Sequence, residues 1–349
     1  MATLAAVIIA AVDWTPFALP LRAPAPGQAE AQRHGFLIHA SDEQGHRGTG
    51  EISPLPGWHD EALSDVEVAL PAVAQALVGQ ELADLEQVGR ALAGVPGGPM
   101  SSVTFGVEMA WLGLRAQALG SVPARVLCPN PAARVPLSEL FAGGGESATR
   151  MAPTRPVVKV KVGDRALAED RATLKHLITQ HPTTRWRIDG NRKLTTSAAI
   201  DLLDGVDLSR IDYFEEPLRD PAELTALHEV TGVDLAIDET LREERAAELR
   251  GAPGVTTWVC KPALHGGIAA ARRLGAEAAE AKIDVVISSC FESGLGLWAL
   301  TQLAACVQRP GTAAGLGTDR WIAEDVIDPP FEAQTSHASI DDWIGEVTT

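Results

Sequence analysis

Basic residues are in short supply in this chain. Lys and Arg together number 29 against 46 Asp and Glu, for a net charge of −17 and a pI near 4.9. Such a chain has little basic surface with which to release counterions, which argues against nucleic acid or an anionic membrane as a partner. Cysteine is scarce as well: Cys128, Cys260, Cys290 and Cys306 sit in apolar contexts with no CxxC pairing. They read as reduced, buried thiols of a cytoplasmic protein. Cys260 precedes Lys261, so strand alternation turns it away from any site that Lys261 faces, and it is not taken as a nucleophile. No run reaches the roughly 20 apolar residues that span a bilayer. The apolar start, residues 1–12, lacks a basic leader and runs directly into Asp13-Trp14, so it reads as a first strand and not as a signal peptide. Low-complexity segments are missing too.

What the chain does have is length, apolar content and a rhythm. Its 349 residues, 46% of them hydrophobic, suffice for a large core and a second, smaller domain. Between residues 157 and 292, short apolar runs of strand character each end in a polar residue. Val-Val-Lys-Val-Lys carries Lys159 and Lys161, and Arg187-Ile-Asp ends in Asp189. Tyr-Phe-Glu ends in Glu215, Leu-Ala-Ile-Asp in Asp238, Trp-Val-Cys-Lys in Lys261, and Val-Val-Ile-Ser-Ser in Ser288 and Ser289. The runs recur roughly every 23 to 28 residues, the length of one strand-helix unit, with helix-like segments at 166–180, 197–203, 223–230 and 267–281 between them. This is the pattern of a (β/α)8 barrel, in which functional groups come from the carboxyl ends of several strands and meet at one face.

The barrel is expected over residues 98–320. Its first strand falls at 122–127, the six runs above are the second to the seventh, and 313–318 is a weak eighth. Residues 1–97 form an α+β capping domain, with strands at 4–12, 36–40 and 49–52 and a hairpin turn at Gln44-Gly45-His46. Helices follow at 59–78 and 82–93. The Ala- and Pro-rich stretch 22–33 reads as an exposed loop and a mobile lid. Residues 94–99 are a linker, Ser101 or Ser102 caps the helix 103–119, 143–155 is loop-rich, and the tail 321–349 packs back on the first domain.

Three carboxylates converging in a cavity repel one another and are costly to desolvate. A divalent cation offsets both effects, and all-oxygen ligation by Asp189, Glu215 and Asp238 suits Mg2+, with Mn2+ as a substitute, better than zinc. A lysine beside such a charge loses its proton more easily and can serve as a base. In a ring of eight, the second and sixth strands are opposite, so Lys161 and Lys261 flank a substrate from two sides. The implied chemistry begins with removal of a proton α to a carboxylate, helped by the cation's charge. Taken singly, Glu215-Glu-Pro reads as surface, Lys159-Val-Lys161 as an edge strand with solvated lysines and Asp189 as a turn residue. Five such residues in order, each ending a strand, favour a site. Glu216 and Glu239 are expected to face the other way by alternation.

With those residues in hand, the chain resembles the enolase superfamily, and within its muconate-lactonizing-enzyme-like subgroup the o-succinylbenzoate synthase family. The likeness runs through Gly50-Glu-Ile-Ser-Pro-Leu-Pro-Gly57, Ser102-Val-Thr-Phe-Gly-Val107, Lys159-Val-Lys-Val-Gly163, Arg187-Ile-Asp-Gly-Asn-Arg192, Glu215-Glu-Pro217, Ile237-Asp-Glu239, Lys261-Pro262 and Ile287-Ser-Ser-Cys-Phe-Glu-Ser-Gly294. The resemblance implies Mg2+ on Asp189, Glu215 and Asp238. It implies Lys161 as the base in a syn dehydration of 2-succinyl-6-hydroxy-2,4-cyclohexadiene-1-carboxylate, for menaquinone synthesis, with Lys261 as the opposing cation. It further implies that Lys159 and Arg187 tune the charge near the metal, and that Ser288 and the stretch Gly315 to Gly317 touch the succinyl carboxylate or ring of the anionic substrate. The chain departs from the family's usual pattern at Gly190, where Ala is commoner, at Cys290-Phe291, and in the Pro-rich 22–33 loop. Racemisation of N-acylamino acids and epimerisation of dipeptides need the same two lysines and remain open, as does muconate cycloisomerisation. A dipeptide epimerase would carry an Asp-x-Asp near the seventh-to-eighth strand, where only Gly317-Thr-Asp319 is found. A barrel that binds without catalysing is the alternative of a different class. Oligomeric state, monomer or homo-oligomer, is left open.

Overall fold

The computed structural model describes residues 6–25, 27–144, 146–244, 246–331, 336–341 and 346–348. The chain opens with β1 (Val7–Ile8) and an antiparallel sheet of β2 (Ala11–Pro20), β3 (Gln32–Ser41) and β4 (Arg47–Ile52). The first expected strand thus begins at Val7, breaks, and runs on to Pro20; residues 1–5 lie outside the described residues. The hairpin turn between β3 and β4 forms as expected. The Asp42 carboxylate accepts hydrogen bonds from the backbone N–H groups of Gln44 and His46, and Gly45 takes φ +88°. The 22–33 loop is shorter than expected, because β3 already starts at Gln32 and Arg33 is a buried strand residue. Helices α1 (Leu63–Leu77) and α2 (Leu85–Leu92), with β5 (Glu81–Leu82) between them, begin a few residues late. Asp84 fixes the start of α2 by accepting from Gln87 N at 2.8 Å.

Helix α3 (Ser101–Ala118) lies directly on β4. A Cβ on Gly50 would fall 1.8 Å from the carbonyl oxygen of Gly106, and one on Gly48 would fall 1.9 Å from that of Ala110. Glycine at these points lets helix and strand backbones touch. Neither serine caps the helix. Its first turn is satisfied from a distance, by the Glu61 carboxylate accepting from Ser102 N at 2.8 Å.

Residues 123–127 are a short helix, α4 (Pro123–Leu127), and not the first barrel strand. Pro123 has no N–H and its fixed φ suits a first helical turn. After β6 (Arg134–Pro136), the first barrel strand is β7 (Ser138–Phe141). The short α5 (Glu146–Thr149) crosses the loop-rich stretch, and strands and helices then alternate. They are β8 (Val157–Lys161), α6 (Leu167–Gln180), β9 (Arg185–Asp189), α7 (Thr196–Leu203), β10 (Ile211–Glu215), α8 (Leu224–Thr231), β11 (Leu235–Ile237), α9 (Ala246–Leu249), β12 (Val255–Cys260), α10 (Gly267–Ala281), β13 (Asp284–Ile287) and α11 (Gly294–Val307). The seven strands β7 to β13 pair in parallel in sequence order. The eighth position is only two residues long. Gly315 bridges Ser288 and Ala314 bridges Leu137, which closes the ring. The fold is a (β/α)8-type barrel with an N-terminal capping domain.

The tail touches both parts. Ile322 bridges Leu21 in the first domain, β14 (Ile327–Asp328) pairs with β16 (Glu346–Val347), and β15 (His337–Ser339) pairs with β6 at the barrel.

Glu108 joins α3 to the barrel. It is 1% exposed and accepts from the backbone N–H groups of Ile268 and Ala269, the latter at 3.1 Å, at the start of α10. Burial, only partly offset by those bonds, pushes its carboxyl up to about 8. The folded chain therefore keeps a proton that the unfolded chain releases near the ordinary value of about 4.3. This contribution to stability is complete below that value and is lost as pH rises through about 8. Glu108→Gln should therefore gain stability relative to the parent between about pH 5 and 9, read as urea midpoints. Parallel midpoint-against-pH curves for the two proteins would refute this account.

Candidate active site

The register of the barrel sets its charged residues at one level. Lys161 pairs across with Asp189, and Asp189 with Glu215. Asp238 and Lys261 each stand one residue beyond β11 and β12. Below them Tyr213, Ala236, Val259 and Val286 form a small apolar cluster of their own. Alternation places these residues two positions back along the same inward-facing rows.

A cavity of about 40 Å³ opens on this layer, its walls including Lys159, Lys161, Asp189, Asp238, Lys261 and Ser288. Lys159 Nζ lies 2.9 Å from Glu215 Oε1 and 3.1 Å from Asp189 Oδ2. Lys161 Nζ donates to Asn191 Oδ1 at 3.1 Å and stands 3.9 Å from Asp189 Oδ2. Lys261 Nζ donates to Asp238 Oδ2 and sits 5.2 Å from the centre of the Trp58 ring, which the capping domain supplies. The lysines of the second and sixth strands thus reach one cavity from different sides.

Burial disfavours the charges of Asp189, Lys159 and Lys261, and their neighbours decide the balance at each. Around Asp189 the positive charges of Lys159, Lys161 and Lys261 outweigh burial and hold the carboxyl below its ordinary range. The carboxylates of Asp189 and Glu215 likewise outweigh burial at Lys159 and hold its ammonium above the ordinary lysine range. At Lys261 burial prevails, helped by the charge of Lys159, and brings it down to about 8.

The donor set fits a hard divalent cation. All three candidate ligands are buried carboxylates, and Glu215 Oε2 is a buried acceptor without a hydrogen-bond partner. In this arrangement the ammonium groups lie against the carboxylates, and among the described residues no three His, Cys, Asp or Glu side chains form a ready metal cluster. Cation binding on these residues would exchange ammonium charge for metal charge.

Of the residues singled out in the sequence, Lys159, Ser288 and Gly315 line the cavity. Arg187 does not. It is buried a layer below, its guanidinium 5.0 Å over the Tyr213 ring. Glu216 does not line the cavity and is buried. At φ +37° the chain turns at the strand end, and the buried carboxylate accepts from the N–H groups of Asp238 and Thr240, both at 2.8 Å, and from Arg192 Nε at 2.8 Å. It holds the backbone that carries Asp238. Glu239 is partly buried, and its Oε2 has no partner. Gly190 is explained by crowding, since a Cβ there would come 2.8 Å from Pro217 Cα.

Several cavity residues escaped the sequence reading, Glu139, Trp58 and Phe291 among them. Glu139 lies on the first barrel strand, which had been placed elsewhere. Trp58 follows the Pro-Gly turn that ends the capping sheet, and a large aromatic just after such a turn was the available signal. Phe291, at φ +62°, lines the cavity under the edge of Trp321. The capping domain holds its loop: Arg33 donates to the Phe291 carbonyl, and Glu51 accepts from Ser293 N and Oγ. His59 accepts from Leu55 N at Nδ1, so its Nε2–H donates to the Ala263 carbonyl beyond Lys261 at 3.1 Å.

Comparison with known proteins bears on these observations. The family description "Enolase C-terminal domain-like" matches residues 146–345, and "MenC, N-terminal domain" matches residues 17–114. The o-succinylbenzoate synthase of Yersinia enterocolitica is 34% identical over 297 residues, 82% of each chain. That of Klebsiella pneumoniae is 32% identical over 320 residues, 88% of this chain and 90% of its own. Among solved structures, the L-Ala-D/L-Glu epimerase from Bacillus subtilis superposes with a TM-score of 0.84 at 20% identity, covering 97% of this chain and 98% of its own. Muconate cycloisomerase from Pseudomonas fluorescens superposes with a TM-score of 0.83 at 20% identity, covering 98% and 97%. At such identities the structural likeness speaks for the fold alone.

The Glu216 anchor gives a test that involves no ligand. Glu216→Ala leaves the buried N–H groups of Asp238 and Thr240 without their acceptor and takes from Arg192 one of its two carboxylate partners, the other being Glu243. It should cost about 3–5 kcal/mol in urea unfolding, with an unchanged slope. A loss below about 1 kcal/mol would show that Asp238 is held by something else.

Proposed function

The chain belongs to the o-succinylbenzoate synthase family of the enolase superfamily, and on that premise we propose that it catalyses the Mg2+-dependent syn loss of water from 2-succinyl-6-hydroxy-2,4-cyclohexadiene-1-carboxylate, giving 2-succinylbenzoate for menaquinone synthesis. The observation that carries the reading is the pair of lysines, Lys161 and Lys261, reaching one cavity from the second and sixth strands with Asp189 and Asp238 in the same wall.

Asp189, Glu215 and Asp238 would hold the cation. When bound, it supplies positive charge that stabilises the negative charge developing on the substrate's carboxylate. Lys161 removes the proton α to that carboxylate, and its hydrogen bond to Asn191 aims the Nζ into the cavity. The same ammonium then passes its proton to the departing hydroxyl, so that H and OH leave from one face. Lys261 lies on the other side, where its charge faces the electron-rich ring. Its contact with Trp58 closes that side against water. Lys159, paired with Asp189 and Glu215, sets the local charge balance. Ser288 and Gly315 offer polar contacts for the succinyl group. Formation of an aromatic ring supplies much of the driving force. We place the reaction in the cytoplasm, in keeping with four free cysteines, and among the described residues no helix is long and apolar enough to cross a membrane.

Epimerisation of a dipeptide is less well supported. Asp319, the carboxylate nearest to the position such an enzyme would use for the α-ammonium, is held by Arg155 at 2.6 Å.

Purified protein with Mg2+ and the cyclohexadiene should dehydrate it rapidly, with loss of ultraviolet absorbance, and chelation should stop the reaction. Racemisation of N-succinylamino acids, followed in parallel by polarimetry, should be slow. Racemisation without dehydration would move the chain to the sister activity. Lys161→Ala should reduce turnover by at least about 10²-fold and keep the Mg2+-induced rise in melting temperature. Activity within about tenfold of the parent would remove Lys161 from the role of base.

A further inference from the structure

The eighth barrel position is the least built part of the ring. Its two residues are held by a few backbone hydrogen bonds: Ala314 N to the Pro136 carbonyl, Gly315 N to the Ile287 carbonyl, Ser138 N to the Ala314 carbonyl and Ser289 N to the Gly315 carbonyl. Two helices flank the chain segments that meet at this seam. Helix α4 precedes the first strand and ends at Cys128, while α11 precedes the eighth position and carries Cys306. The two sulfurs lie 2.7 Å apart, 178 positions distant in sequence.

Other contacts hold this proximity in place. Gln302 Oε1 on α11 accepts from Ala124 N at 3.0 Å, and Ala132 N donates to the Ala305 carbonyl at 2.9 Å. These contacts pin the chain to α11 on both sides of Cys128. Cys306 Sγ additionally donates to the Ala124 carbonyl at 3.2 Å. Both thiols are free and partly exposed, whereas Cys260 and Cys290 are fully buried. Reaching a covalent S–S distance takes about 0.7 Å of further approach.

We propose that Cys128 and Cys306 are a modification site, forming a reversible disulfide that braces the closing seam of the barrel, with a low-molecular-weight disulfide as the co-substrate. The Cys128 thiolate attacks one sulfur of the small disulfide, forming a mixed disulfide and releasing one small thiolate. Cys306 then loses its proton to solvent and its sulfur attacks that of Cys128, releasing the second small thiol. Two protein thiols are oxidised by two electrons, one small disulfide is reduced to two thiols, and the protons end on those thiols. Cys128 goes first because burial, above all, holds the Cys306 thiol protonated, and that thiol donates to the Ala124 carbonyl.

The experiment exposes the full, folded chain to excess oxidised glutathione, blocks remaining thiols, and maps tryptic peptides without reduction. The expected product is one linked pair, the Cys128 peptide joined to the Cys306 peptide, lighter by two hydrogens. The oxidised protein should melt at least about 3 °C higher than the same sample with dithiothreitol. Cys128→Ser and Cys306→Ser should each lose both the link and the shift. The proposal is overturned if Cys128 and Cys306 both remain open to alkylation, or if the peptides carry glutathione and no internal link. It is also overturned if the link forms without any change in melting.

Discussion

The carboxylates of Asp189 and Asp238 and three ammonium groups line one cavity, and the buried Glu215 carboxylate joins them through its pairing with Lys159. At Asp189 and Lys159 neighbouring opposite charges outweigh burial and keep each group charged, whereas at Lys261 burial prevails. The surrounding structure serves this arrangement. The in-phase register of β8, β9 and β10 brings Lys161, Asp189 and Glu215 to one height. The Arg192–Glu216 pair fixes the turn on which Asp238 rides. The cluster of Tyr213, Ala236, Val259 and Val286 lies beneath.

The capping domain completes the site in two ways. Trp58 is a wall in direct contact with Lys261. Arg33, Glu51 and His59 act through backbone, holding the loops that follow the sixth and seventh strands. These three are buried and polar, and burial pulls Arg33 and His59 down and Glu51 up. A group kept in so costly a place, with its hydrogen bonds directed at cavity loops, marks where the two parts of the chain are aligned. Phe291, a bulky side chain at positive φ, lies on one of those loops, where backbone strain is tolerated because its neighbours fix it.

The barrel and its ring of charges were legible in the sequence because each run ended in a polar residue at a regular spacing, a feature of local pattern. What was not legible depended on contacts distant in the chain. Val122 to Leu127 is apolar and β-branched enough to suggest a strand, but Pro123 and the grip of Gln302 make it a helix. The true first strand, Ser138–Phe141, is short and half polar, with little period to find. Alternation alone did not reveal that Glu216 is buried and gripped by the backbone N–H groups of Asp238 and Thr240, contacts made far along the chain. Arg187 shares the inward row of Asp189 yet does not line the cavity, since spacing along a strand gives a face and not the height of the cavity floor.

The glycine-lined contact between α3 and β4 changes what counts as a unit of this molecule. In sequence, the Gly-Pro-rich stretch at 94–99 invites a cut, with α3 going to the barrel. In space, α3 lies backbone to backbone on the capping sheet and clasps α10 through Glu108. It is a shared beam, belonging equally to both halves. Exchange of capping domains between relatives, whether by recombination or by design, would have to carry α3 with the sheet and match it to a new α10. Variation in the cap is therefore tied to the barrel's outer surface, far from the substrate.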